Sequence, residues 1–169
     1  WDGSILVPFS PESELSGVGR TLRPAETLWY RRYFALPENW NAGKRLLLHF
    51  GAVDQEAAVF VNGQKAGEHR GGYNAFTVDA TAFVQPQNEL IVRVYDDTDA
   101  SWHTRGKQRT KRGGIWYTPQ SGIWQTVWME WVPEAYIQRV RLIPDIDRGE
   151  LELTVFASRP GEGTAVLQG

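Results

Sequence analysis

The residues with the most chemistry to offer lie between positions 102 and 119. Trp102 and Trp116 bracket the run Arg105-Gly106-Lys107-Gln108-Arg109-Thr110-Lys111-Arg112, five cations in eight residues, and Tyr117 follows directly. No strand periodicity buries these indoles, and an exposed indole calls for something to cover it. A sugar ring is a suitable cover, because its axial C–H face is apolar and packs flat on an aromatic surface. Trp102, Trp116 and Tyr117 would then stack. Arg105, Lys107 and Gln108 would donate hydrogen bonds to hydroxyls or to an acidic sugar. His103 lies in the same stretch and completes the set of candidate substrate-binding residues. Two other readings stand beside this one. Cations interleaved with aromatics also suit single-stranded nucleic acid, and a charge run can simply be a solvated loop whose rings pin it down.

Bond-breaking chemistry is harder to find. Hydrolysis across a scissile bond needs two carboxylates about 5 to 10 Å apart. The candidates are Asp96, Asp97 and Asp99 in the DDTD run, and Glu12 and Glu14. Acids in such places are more often turn formers or caps. The DDTD run could hold a structural calcium through oxygen ligands, but it lacks the spacing of a recognised calcium loop. His49, His69 and His103, 20 and 34 residues apart, match no metal template. No Ser-His-Asp signature, P-loop or dinucleotide fingerprint occurs. The expectation is a chain with no catalytic residues, no metal site and no cofactor.

The elements that must position the aromatic and cationic residues read as short strands. Trp29 to Leu36, Arg45 to Phe50, Ala57 to Val61, Gln64 to His69, Phe76 to Val78 and Asn88 to Tyr95 are rich in β-branched and aromatic residues. Pro37 to Gly43 interrupts them with a single helical turn. Asn62-Gly63 is a strong hairpin signal, since both residues tolerate the positive φ of a type I′ turn. No stretch carries a helical period, so the spacing predicts an all-β sandwich or barrel. Gly122 to Trp131 reads as one central strand between two packed layers, with Trp124 and Trp128 in the core. Val132 to Glu134 reads as a linker. Tyr136 to Ile143 and Glu150 to Ala157 form two more strands around a turn at Pro144 to Asp147.

Composition sets the outer bounds. The 169 residues suit about one domain, and 41% are hydrophobic, enough for a core. Eighteen Lys and Arg against 20 Asp and Glu leave a net charge of −2, which argues against a nucleic-acid or membrane partner. No apolar run reaches the ~18 residues that cross a bilayer. Zero cysteines exclude disulfides and thiolate sites, and leave both a cytoplasmic and a secreted setting open. The chain begins at Trp1, its one methionine is Met129, and it stops at Gly169 in what reads as a strand. The expectation is a piece of something longer.

Seven segments occur in order: ILVPFSPESELSG (5–17), WYRRYF (29–34), LLLHFGAVD (46–54), VFVNGQKAGEHRGGYNAFTVDAT (59–81), NELIVRVYDDTD (88–99), RGKQ (105–108) and GGIWYTPQSGIWQTVWMEWV (113–132). Together they resemble the N-terminal sugar-binding domain of glycoside hydrolase family 2, the family of β-galactosidases, β-glucuronidases and β-mannosidases. The resemblance implies a jelly-roll β-sandwich of the galactose-binding-domain type over residues 1–133. It implies the first strands of an immunoglobulin-like sandwich over residues 134–169, then a catalytic (β/α)8 barrel. The barrel carries both hydrolytic glutamates in that family, and its motifs have no counterpart here. The stretch Trp116 to Gln120 also lacks the acid that some relatives place just before their SGI motif. The implied role is a non-catalytic domain of a β-galactosidase- or β-glucuronidase-type exo-glycosidase. Its loop from Trp102 to Pro119 would wall the substrate pocket, with a carbohydrate and the downstream domains as partners. The alternatives are a free-standing lectin-like module and a basic-loop domain that docks protein or nucleic acid.

Overall fold

The computed structural model describes residues 1–40 and 43–166. A short 3-10 turn at Glu14–Ser16 precedes eleven strands among these residues. They are β1 (Thr27–Ala35), β2 (Lys44–Phe50), β3 (Val53–Asp54), β4 (Glu56–Val61), β5 (Gln64–Arg70) and β6 (Phe76–Asp79), then β7 (Gln87–Tyr95), β8 (Gly122–Ile123), β9 (Val127–Pro133), β10 (Ile137–Asp145) and β11 (Glu150–Ala157). Among the described residues no helix is long and apolar enough to cross a membrane. The turn expected over Pro37 to Gly43 is present at Pro37–Trp40, where the Trp40 amide donates to the Pro37 carbonyl at 3.3 Å. Residues 41 and 42, and the tail beyond 166, lie outside the described residues. The strand read into the tail is not seen as far as 166.

Two antiparallel sheets make the sandwich. One has the order β1-β7-β4-β5 and the other β6-β2-β9. Every second residue of the inner strands faces the space between them, as the two-residue period of a strand requires. Ala57, Val59 and Val61 of β4, Val92 and Val94 of β7, and Tyr30 of β1 meet Leu48 and Phe50 of β2 and Val78 of β6. The rings of Phe50 and Phe76 stack at 4.7 Å. Asn62 and Gly63 both adopt positive φ, at 50° and 78°, and close the β4–β5 hairpin where Val61 pairs with Gln64. This is the jelly-roll β-sandwich that the sequence leads one to expect.

The stretch 122–131 departs from expectation. It is not one central strand. β8 makes a two-residue ladder with β3, the chain breaks at Trp124–Thr126, and β9 then forms the edge of the three-stranded sheet. Among the described residues no strand pairs beyond β9, and Trp128, Met129 and Trp131 are exposed. Trp128 stacks on His49 of β2 at 4.9 Å rather than entering the core, and Trp124 is only half-buried. An apolar pattern on both faces of a strand does not by itself show that the strand is central to its sheet.

β10 and β11 pair with each other in a separate two-stranded sheet, turning at Ile146–Gly149. The turn sits two residues later than expected, because Pro144 and Asp145 still pair with Leu151 and Glu150. Glu134 ties this hairpin to the sandwich. Its Oε2 takes Arg45 of β2 at 3.4 Å and Arg159, just beyond β11, at 2.6 Å. Arg45 also pairs with Asp79 of β6.

Candidate functional site

The loop from Trp102 to Pro119 holds its shape through its own hydrogen bonds. The Tyr117 amide donates to the Lys107 carbonyl at 2.9 Å, and the Arg109 amide to the Tyr117 carbonyl at 3.1 Å. Gly113 and Trp116 exchange bonds of 3.1 and 3.3 Å at the tip. At the base, Thr110 Oγ1 donates to Asp99 at 2.7 Å and the Gln120 amide to the Gln108 side chain at 2.6 Å. Trp124 Nε1–H donates to the Gly72 carbonyl at 2.7 Å, and its ring meets Tyr73 edge-on at 6.1 Å. Tyr73 Oη in turn accepts from Gln108 at 3.5 Å. The loop is thus braced to the sandwich through Asp99, Tyr73 and Trp124.

The candidate residues divide by what they already touch. Trp102 is fully exposed and Tyr117 is 67% exposed. Lys107 is exposed with its charge unpaired among the described residues. Arg105 reaches back only to the Ser101 carbonyl, at 3.3 Å. Trp116 is half-buried under the Arg109 guanidinium, 4.3 Å from its ring centroid, and Gln108 is engaged at both ends. These two hold the loop in shape. His103 points inward: its side chain is only 3% exposed and lies against Asp96 and Asp97. Sequence reading overlooked Arg109 and Tyr73 as braces. An arginine in a basic run carries no mark of which ring it will cover.

Glu12, Asp96 and Asp99 among the acidic candidates are each engaged by groups of the chain itself. Glu12 accepts the backbone amides of Leu22 at 3.2 Å and Ser121 at 3.1 Å. Asp96 accepts the Thr98 amide at 2.8 Å. Asp99 takes Thr110 and, at 3.9 Å, Arg109, and the Thr110 hydroxyl beside it holds its carboxyl below the usual range. A different acid is perturbed most. Asp54 is buried beneath Gly72, and its carboxyl is pushed up to about 7, first by burial and then by the charges of Asp96 and Glu12. A cleft of about 900 Å³ lies apart from the loop, between the N-terminal segment and β1, and Trp1, Val18, Leu28 and Trp29 line it.

Comparison with known proteins places this architecture. The profile of a family described as "Glycosyl hydrolases family 2, sugar binding domain" matches residues 19–133. A protein of Formosa agariphila named "Putative beta-glucuronidase" is 32% identical over 74% of this chain, which spans 14% of that protein. A "Beta-galactosidase" of Thermoanaerobacter pseudethanolicus is 33% identical over 69% of the chain, which spans 15% of it. The chain therefore covers about a seventh of these relatives' length. Among solved structures, Bacteroides uniformis beta-glucuronidase 2, covalently bound to cyclophellitol-6-carboxylate aziridine, matches 80% of this chain and 15% of its own with a TM-score of 0.57 and 30% identity. An uncultured Clostridium sp. beta-glucuronidase superposes over 90% of this chain and 27% of its own with a TM-score of 0.68 and 24% identity, a likeness of fold.

Proposed function

The chain belongs to the family of glycosyl hydrolases family 2, sugar binding domain, and from that membership we propose that it is the non-catalytic lobe of a β-glucuronidase- or β-galactosidase-type enzyme. Residues 1–133 form the sugar-binding lobe in this reading, and residues 134–169 open an immunoglobulin-like domain. The bond is broken elsewhere, on a (β/α)8 barrel of the same polypeptide. The loop 102–119 shapes the pocket mouth there. Loops held by a rigid sandwich are where recognition residues concentrate.

One observation supports this most. The loop spends Arg109, Gln108 and Trp116 on holding itself, and that leaves Trp102, Tyr117 and Lys107 presented to solvent from a fixed backbone. A solvated loop would have no reason to brace a naked indole. Fixed aromatics stack on a sugar with little ordering cost, and a lysine beside them suits the hydroxyls or the carboxylate of an acidic sugar.

In the full-length enzyme, Trp102→Ala is expected to lower kcat/KM about tenfold or more on aryl β-glucuronides or β-galactosides, on the scale of losing a stacking contact. The melting temperature should not move, since Trp102 packs on nothing. An unchanged kcat/KM on both substrate classes would return the loop to a structural role. The 169-residue chain alone is expected to release no aglycone from either substrate. Turnover above a buffer blank, surviving repurification, would place catalytic carboxylates in this chain.

A further inference from the structure

The strongest unassigned feature is the buried cluster at the root of the loop. β7 ends at Tyr95, and the chain turns back on itself through Asp96–Ala100. The Thr98 amide donates to Asp96 Oδ1 at 2.8 Å, Thr98 takes a φ of 54°, and the Ala100 amide donates to the Asp97 carbonyl at 2.9 Å. This reversal lays His103 over both aspartates. Asp96, Asp97 and His103 each offer a ligand atom, all within 4.8 Å of one another. The side chains of Asp96 and His103 are 2% and 3% exposed.

The two ring nitrogens of His103 stand in different surroundings. Nδ1 lies 3.2 Å from Asp97 Oδ1 and 3.4 Å from Ser101 Oγ, so the ring proton belongs there. That tautomer leaves Nε2 with a bare lone pair. Nε2 is buried and has no hydrogen-bond partner among the described residues. It lies 3.7 Å from Asp96 Oδ1, beyond hydrogen-bond distance, and that oxygen keeps a second lone pair besides the one that takes the Thr98 amide. With metal–ligand bonds of about 2.0–2.2 Å, one cation bridges 3.7 Å at an angle of about 120°.

We propose that His103 Nε2 and Asp96 bind a divalent transition-metal ion of the zinc type, with Asp97 holding the imidazole through Nδ1–H. A carboxylate behind the ring is the usual support of a metal-binding histidine. A mixed imidazole and carboxylate pair favours Zn²⁺ or Co²⁺ over the all-oxygen preference of Ca²⁺. The ion would clasp the two ends of the 96–103 turn, and so fix the point from which Trp102 and the rest of the loop depart. This site stands whether or not the loop meets a sugar.

The test is a CoCl₂ titration of the chelator-stripped intact protein. One equivalent should bind, with a visible absorption band that ZnCl₂ abolishes by displacement. His103→Ala and Asp96→Asn should each remove that band, and Asp97→Asn should weaken binding about 10-fold. The ¹¹³Cd resonance of the unsubstituted protein gives an independent readout should a variant fail to fold, and its shift should report nitrogen and oxygen ligands. Three results would overturn the proposal: no saturable Co²⁺ or Zn²⁺ binding, binding unchanged in His103→Ala, or Ca²⁺ bound as tightly as Zn²⁺ with His103 dispensable. The first would leave His103 a purely structural neighbour of the two carboxylates, and the third a carboxylate-only site.

Discussion

Gly122→Ala is expected to lower the melting temperature by about 10 °C or to prevent folding. Gly122 begins β8 at a φ of 76°, where an L side chain is strained. A Cβ there would run into the Tyr30 hydroxyl and Leu28 Cδ1. Leu28, half-buried beside the cleft, can shift, but the Tyr30 hydroxyl cannot retreat easily. Tyr30 is buried in the core, and its hydroxyl accepts the Ile123 amide at 3.3 Å. Overpacking costs about 1–3 kcal/mol and the positive φ about 1 more. At about 2–4 °C per kcal/mol for a chain of this size, the sum is near 10 °C. Gly149→Ala is the matched control. It has a φ of 65° and nothing within 4 Å of the added atom, so it should cost only the backbone share. Adding Tyr30→Phe to Gly122→Ala should recover part of the loss, because it removes the atom in the way. Equal shifts for the two glycine variants would mean that the close approach at Tyr30 does not matter.

The second large effect is on pH dependence. The Asp54 carboxyl titrates near 7 when folded, against 3.8 for an ordinary aspartate. Between those values the folded protein holds a proton that the unfolded chain has released. Stability therefore falls as pH rises through that window and is lowest above pH 7. The conversion of ~1.4 kcal/mol per unit puts a ceiling of about 4 kcal/mol on the cost. Asn cannot ionise, so Asp54→Asn should raise stability by about 1–3 kcal/mol at pH 8, and by nothing near pH 4. The gain stays below the ceiling because the new amide needs partners that Oδ1 lacks among the described residues. The readout is the difference between variant and parent melting temperatures from pH 4 to 8, which cancels the three histidines. Parallel profiles would refute a raised Asp54.

Much of this fold was legible because its strands obey local rules. Asn62-Gly63 dictated a hairpin through backbone freedom alone, and β4 and β5 meet there as read. The strand bounds came within a residue or two, since alternating Val, Ile and Leu bounded by Gly, Pro and Asp leaves little choice. Other features depend on contacts that no local window contains. The two-residue ladder of β3 and β8 is too short to show a period. Trp124 and Trp128 look like core residues, because side-chain type does not reveal that the stretch is broken in two and that, among the described residues, β9 pairs on one side only. The cluster at Asp96, Asp97 and His103 escaped for a related reason. A metal template assumes a helix or a knuckle, whereas here a left-handed threonine folds six residues back on themselves. Within the loop, aromatic and cationic residues marked the segment as the one to inspect. Which of them stay exposed was settled by Arg109 choosing Trp116.

The shared carboxylate of Glu134 gives the junction between sandwich and hairpin a mechanical character. Both its arginine partners are substantially hydrated, with side chains 34% and 61% exposed, so each pair contributes at most about 1 kcal/mol. Such contacts fade as added ions shorten the reach of charge. A joint held by such pairs is expected to be an elbow and not a weld, loosening as ionic strength rises.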